Sequence, residues 1–372
     1  MHYFDHSATT PINLEVLELI NKVQKINYAN PSSLHSAGKK AKTIIEESRR
    51  RVANAINAEP DQIFFTSGGT ESNNHVLWSM LSHHNAHVIT DVIEHPAILK
   101  VLEYLKTFGL NYSLIKVNSK GRIDLKELEE KITKKTCLIS VMLANNEIGT
   151  IQPIREIIDL MISKDILMHT DAVQCLGKMK VDVKELRVDF LSLSSHKFYG
   201  PKGVGILYVK NRSTIKSLIL GGSQEGGLRG GTENVASIAG AGLAAELSVK
   251  YLKENSKKLD MLKLFFINEL KLIFPNIIIN GDSSNSLPGL ASISFPGFRS
   301  DILLAKLDRV NIAVSNGAAC GSGNVKPSSI LSAIGIDEKT NLSTLRFSFG
   351  TTNTIVEIKK LLEELKLILN NK

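Results

Sequence analysis

The feature that most restricts the fold is an alternation of short apolar runs with helical stretches over the first 210 residues. "QIFFT" leads through a Gly-Gly turn to "ESNNHVLWSML", "HVIT" leads to "PAILKVLEYLKTFG", and "CLISVML" leads to "PIREIIDLMISK". "ILMHT", "DFLSLS" and "GVGILYVK" complete the series. This alternation predicts an α/β fold with a mostly parallel sheet and helices on both faces. Beyond about residue 235 the texture changes. "NVASIAGAGLAAELSVKYLKENSKKLDMLKLFFINELKLIF" reads as one or two long helices, and short runs such as "NIIING" and "LASISFP" alternate with further helices. A large unit over 15–253 and a smaller α+β unit made of 1–14 and 254–372 are expected.

Polar residues fall into a pattern on the larger unit. Gly68, Gly69 and Thr70 follow the first run, His95 the second, and Asn145 and Asn146 the third. Asp171 and Gln174 end the fourth, and Ser194, Ser195, His196 and Lys197 end the fifth. Each group falls at the carboxyl end of its expected strand, where open α/β sheets bind ligands.

Composition narrows the function classes. The chain has 372 residues, 43% of them hydrophobic and 22% charged, a soluble globular balance. No run approaches the roughly 20 apolar residues of a membrane span, and "MHYFDHSATT" lacks the apolar core of a signal peptide. A cytoplasmic protein with no membrane association is the expectation. The formal net charge is +8, and basic residues cluster in "GKKAK", "ESRRR", "KITKK" and "NSKK". These read as solvated helix faces, or as a surface for an acidic partner. They carry no interleaved aromatics, so direct nucleic-acid binding is not expected.

Cys137, Cys175 and Cys320 are far apart, with no CxxC pair, which argues against a disulfide framework and against a metal site of the protein's own. Cys137 and Cys175 sit in apolar surroundings and read as small core residues. Cys320 differs, because "SNGAACGSGN" surrounds it with small, flexible residues.

"TSGGTES" places two glycines and a threonine at the start of a helix, where backbone N–H groups and the helix dipole hold phosphate. It lacks the GK[ST] ending of a Walker loop. In "SLSSHKFYGPKG", Lys197 follows an apolar strand; partial desolvation lowers a lysine's proton affinity and lets it form a Schiff base. "HTDAVQ" supplies Asp171, whose carboxylate suits the pyridinium nitrogen of pyridoxal phosphate. Singly, Asp171 also reads as a helix cap and Lys197 as a loop lysine. Together they favour the cofactor.

Nearly end to end, the chain resembles the cysteine desulfurases of the NifS/IscS kind, in class V of the fold-type I pyridoxal phosphate enzymes. The resemblance runs through "YFDHSATTP", "NPSSLHSAG", "FFTSGGTESNN", "EHPAIL", "NNEIGTIQPI", "HTDAVQCLGK", "SSHKFYGPKGVG", "GGSQEGGLRGGTEN", "SNGAACGSG" and "LRFSFG". It implies the fold-type I architecture, a homodimer, and pyridoxal 5'-phosphate held on Lys197. Asp171 would pair with the ring nitrogen, and Gln174 and Asn146 would contact the cofactor. Gly69, Thr70, Ser194, Ser195 and His196 would line its phosphate side, joined by Thr232 from the second subunit. His95 would stack on the ring and move protons. Asn30 and Arg346 would hold the carboxylate of L-cysteine, and an arginine fork matches that group bidentately.

By the same resemblance, Cys320 takes sulfur from L-cysteine as a persulfide, releasing L-alanine. It then passes the sulfur to an acceptor protein, an iron–sulfur scaffold or a tRNA-thiolation enzyme, and would serve at most as a transient iron–sulfur ligand. Alternatives are a selenocysteine or cysteine sulfinate lyase, which needs no protein thiol, and a non-catalytic partner-binding protein on the same fold. The sequence departs from the family's common pattern at Gly226, where an Arg often stands. It departs again at Ala318 and Gly321 beside Cys320, and in the short segment of about 20 residues after "RFSFG".

Overall fold

The computed structural model describes residues 1–162, 164–316 and 326–370. In chain order its strands are β1 (His2–Tyr3), β2 (Ile63–Thr66), β3 (His87–Asp91), β4 (Asn111–Ile115), β5 (Thr136–Ser140) and β6 (Leu167–Asp171). They continue as β7 (Phe190–Ser194), β8 (Gly205–Val209), β9 (Ile278–Asn280), β10 (Leu290–Ser294), β11 (Ile312–Ala313) and β12 (Thr344–Ser348).

Seven strands form the central sheet in the order β2-β8-β7-β6-β5-β3-β4. The four pairings from β7 across to β4 are parallel, while β8 runs antiparallel to both β7 and β2. Parallel neighbours need a crossover that brings the chain back to the same edge. Residues 195–204 contain only one short 3-10 turn, so the chain doubles back into β8 instead.

Successive residues of the strands face opposite sides. Phe65, Leu191 and Ile206 join the core beneath the helices Leu14–Ile26, Ser36–Ala55 and Val235–Lys250. Their neighbours Phe64, Phe190 and Leu207 join the opposite core with Val76 and Leu77 of helix Gly69–Ser79 and Ile98 and Leu102 of helix Pro96–Leu105. Burial on both faces is why β5 and β8 read as largely apolar runs. The glycine and alanine content of "SIAGAGLAAEL" also has a packing cause: a Cβ at Gly242 would stand 2.8 Å from Ser48 Cα, so glycine lets helix Val235–Lys250 close on helix Ser36–Ala55.

A second sheet, antiparallel and ordered β12-β10-β9, carries its own core. Phe266, Phe295, Phe347 and Phe349 pack there with Leu259 and Leu361, and Phe4 from the chain's start is fully buried among them. β1 pairs in parallel with β11 beside this core. The long apolar stretch of the sequence forms two helices, Val235–Lys250 and Leu252–Ile273, bent by 73° at the break. Among the described residues no single helix is long and apolar enough to cross a membrane.

Candidate active site

The carboxyl ends of β3, β5, β6 and β7 converge on a cavity of about 170 Å³. Its wall includes Gly69, Thr70, His95, Asn146, Asp171, Gln174, Ser194, His196 and Lys197. Asn73, Met142, Ala144 and Val173 complete it.

One side is the start of helix Gly69–Ser79, whose first N–H groups have no intrahelical partners. Glycine gives the close fit there: a Cβ on Gly69 would lie 2.6 Å from Val173 Cγ2, which would have to shift. Thr70 and Ser194 add hydroxyls, and His196 Nδ1 lies 3.1 Å from Thr9 Oγ1. Burial, reinforced by Lys197 and Lys202, lowers the His196 pKa to about 4, so its ring is neutral at pH 7. Ser195 is fully buried and does not join this wall. Its hydroxyl donates to the Pro201 carbonyl and its amide to the Val204 carbonyl.

At the opposite end Asp171 is held from two directions. Asn73 Nδ2 donates to Oδ2 at 2.6 Å, and the Val173 amide donates to Oδ1 at 2.9 Å. Asn73 escaped the sequence reading, although it lies four residues after Gly69 on the same helix face, a spacing that could have flagged it.

Lys197 Nζ donates to the carbonyls of Ser7 and Ala8, both at 2.7 Å. Burial, reinforced by the Arg346 guanidinium and opposed by Asp5 and Asp171, lowers its pKa from 10.5 to about 8. The amine therefore yields its proton far more readily than a surface lysine.

His95 caps the helix Pro96–Leu105, its Nδ1 accepting the Ala97 amide at 3.1 Å. In the neutral ring that bond leaves the proton on Nε2. The residue is exposed as a whole, yet protein around the ring displaces enough water to lower its pKa; Asp171 opposes that shift and Lys197 adds to it.

Arg346, on β12 and 6% exposed, donates from Nη2 to Asp5 at 2.8 Å and from Nη1 to the Asn146 carbonyl at 3.0 Å. Its Nε has no hydrogen-bond partner among the described residues. Asn30 stands apart, exposed, with its side-chain oxygen accepting the Ser32 amide. Thr232 also stands apart, exposed beside a separate cavity of about 270 Å³ shared with Thr66, Ser67 and Arg229.

The loop before Thr232 is anchored by Glu225, which takes a two-pronged ion pair from Arg49 at 2.7 and 2.8 Å and a hydrogen bond from the Phe65 amide. Gly226 next to it has φ of 62°, a left-handed conformation suited to glycine. The Arg212 guanidinium donates to its carbonyl and occupies the space a Cβ would need. Cys137 and Cys175 are buried, and burial raises both thiol pKa values, keeping them protonated. Cys320 lies outside the described residues, as do Ala318 and Gly321.

An open α/β sheet with a desolvated lysine, a clamped aspartate and a helix start around one cavity defines a class of enzyme scaffold. The family profile described as Aminotransferase class-V matches residues 2–361, and the chain belongs to that family. Within it, the chain is similar to a protein named Cysteine desulfurase IscS from Dictyoglomus turgidum, 42% identical over 99% of this chain and 94% of the relative. A solved structure titled NifS-like protein is 37% identical, with a TM-score of 0.94 over 99% of each chain. Another, titled SspA in complex with cysteine, is 34% identical, with a TM-score of 0.83 over 95% of this chain and all of that one.

Proposed function

We propose that this protein is a homodimeric cysteine desulfurase that uses pyridoxal 5'-phosphate to move sulfur from L-cysteine onto Cys320. The observation that carries the site assignment is the meeting of Lys197, the Asn73-clamped Asp171 and the start of helix Gly69–Ser79 around one cavity. These residues fit the cofactor's chemistry. The helix start, Thr70, Ser194 and His196 supply donors for a phosphate. Asp171 supplies a fixed carboxylate for a ring cation, and Lys197 supplies an amine that is readily deprotonated. Bound there, pyridoxal phosphate would act as an electron sink that weakens bonds at the α-carbon of an attached amino acid.

The chain's own residues do the rest. Arg346 takes the substrate carboxylate, exchanging its bond to Asp5 for the incoming group and engaging Nε, which has no partner among the described residues. Gln174 and Asn146, which line the cavity, would border the ring. His95 presents Nε2–H to the cavity. To take a proton from substrate at Nε2 it must first shift its own proton to Nδ1 and release the Ala97 amide, so the cap adjusts its basicity. In the sulfur step the substrate Cβ–S bond breaks, an S–S bond forms on Cys320, and Cβ takes up one proton. L-cysteine and the thiol become L-alanine and a Cys320 persulfide, with no outside oxidant.

The reading includes a smaller unit formed by 1–14 and 254–372 around a larger one at 15–253, supported by Phe4 lying in the second core. It assigns Thr232 to the neighbouring subunit's phosphate and Asn30 to the substrate side of the dimer. Tyr28, Leu34 and Leu220, each more than four-fifths exposed, are side chains a second copy would cover. The persulfide sulfur goes to an acceptor protein for iron–sulfur cluster assembly or tRNA thiolation. The test is incubation of the purified protein with L-cysteine and a reductant. Equal amounts of alanine and sulfide are expected, and none from Lys197→Ala. Alanine production by that variant at the normal rate overturns the assignment.

A further inference from the structure

Lys178 has no part in the chemistry above, yet it is buried, 8% exposed, directly behind the site. Its Nζ donates to Gln174 Oε1 at 3.0 Å, and Gln174 Nε2 donates to the Ser7 carbonyl at 2.9 Å. That same carbonyl accepts Lys197 Nζ at 2.7 Å. A continuous chain of hydrogen bonds thus joins one buried lysine to the other.

The directions in this chain are forced. A lysine amine has no acceptor when charged, and a backbone carbonyl has no donor. The Gln174 amide therefore has only one orientation, oxygen to Lys178 and nitrogen to Ser7. Without Lys178 the buried oxygen loses its donor, while the Ser7 carbonyl still demands Nε2, so the amide keeps its orientation but is held at one end only. Gly177, at φ of 80°, makes the turn that brings Lys178 back beneath Gln174; a Cβ there would meet Ser248 at 3.2 Å.

We propose that Lys178 is a positioning residue for Lys197, acting through the Gln174 amide and the Ser7 carbonyl. The inference rests on the pyridoxal phosphate reading of the site. Burial, reinforced by the nearby Lys197 and Arg346 charges, lowers the Lys178 pKa to about 7. His6 lies close by and is neutral at pH 7. Around Lys197 the other charged or titrating groups are Asp5, Asp171, Arg346, His95 and His196. The charge at 178 acts directly on Lys197, Arg346 and His6, so the midpoint reads that charge and the coupling of the two variants in turnover reads the hydrogen-bond chain.

The experiment is a pH titration of the visible band of the purified holoenzyme, with turnover measured alongside, for the unaltered protein, Lys178→Met, Gln174→Leu and the double variant. Methionine keeps the length of the buried side chain and removes charge and donor. Lys178→Met is expected to raise the pH midpoint of the band modestly, because Lys178, with its pKa of about 7, carries only part of a positive charge there. It is expected to lower turnover about tenfold, the effect of losing one buried hydrogen bond to a charged donor, with KM changed less. Gln174→Leu is expected to lower turnover similarly, and in its background Lys178→Met should change turnover less than about twofold, because one pathway has already been cut. Unmoved midpoints together with unchanged turnover in both single variants overturn the proposal. Fully additive losses overturn it too. Should Lys178→Met fail to fold, an unchanged band and turnover in Gln174→Leu still overturn it. An unaltered protein with no visible band overturns the cofactor reading itself, and this inference with it; a normal band in that protein with unresponsive variants overturns the role of Lys178 alone.

Discussion

Gly69→Ala tests whether the geometry of the cavity depends on the contact between the helix start and the turn after β6. Gly69 is outside the left-handed region, so an alanine there meets no backbone strain and gains up to about 1 kcal/mol of helix propensity. Against that, its Cβ would stand 2.6 Å from Val173 Cγ2, so the valine must yield by close to 1 Å to reach ordinary contact. Valine is β-branched and stiff at χ1, and the Val173 amide is bonded to Asp171, so the displacement reaches the carboxylate. Overpacking of this kind costs about 1–3 kcal/mol. The net expectation is a loss of about 1–2 kcal/mol in stability with roughly tenfold weaker pyridoxal phosphate binding, since 1.4 kcal/mol is a factor of ten. Denaturant unfolding and a cofactor titration of the stripped protein measure the two effects. Val173→Ala removes Cγ2, so the double variant should recover most of both losses, a coupling of at least about 1 kcal/mol. Gly69→Ala indistinguishable from the unaltered protein, or losses undiminished by Val173→Ala, would refute the reasoning.

Three further outcomes are expected. Arg346→Lys replaces a planar fork by a point charge and should raise KM for L-cysteine about 10–100-fold with a smaller change in kcat, read from initial rates. Because burial holds Lys197 near 8, its free-base fraction grows about tenfold per pH unit below that value. Cofactor uptake by the stripped protein should therefore climb between pH 6 and 8 and level off above, whereas a rise continuing past 10 would mean a solvated lysine. Mixing inactive Lys197→Ala and Thr232→Ala chains under conditions of subunit exchange should regenerate some activity, because one hybrid pocket keeps both residues; no recovery despite proven exchange would place Thr232 outside the neighbour's site.

The strands that position the site were readable because they are buried on both faces: β5 and β8 carry largely apolar runs, and the serines of β7 are small enough to be buried with its Phe and Leu residues. β4, at the sheet edge, was not, since Asn111 and Ser113 interrupt its pattern and only one of its residues is buried. The charged helix Leu125–Lys131 was missed for a similar reason, with Leu128 its only buried residue. Site residues at strand ends could be located one by one from the strands before them. Asp5, Ser7 and Lys178 could not, because they meet Arg346, Lys197 and Gln174 only through tertiary folding: Asp5 and Ser7 arrive from the chain's start, and Lys178 from a turn that doubles back. Asn30 and Thr232 point to a different limit. Both stand away from the cavity within one chain, and a role there requires a second copy.

Sulfur is expected to leave L-cysteine for one particular thiol, that of Cys320. Cys137 and Cys175 are buried and held protonated, and a protonated thiol is a poor nucleophile. The direct measurement is incubation with sulfur-labelled L-cysteine, non-reducing digestion and mapping of the label. The label is predicted on the peptide containing Cys320. It should vanish in Cys320→Ser and persist in Cys137→Ser and Cys175→Ser. Label on Cys137 or Cys175 with Cys320 unlabelled would contradict the account.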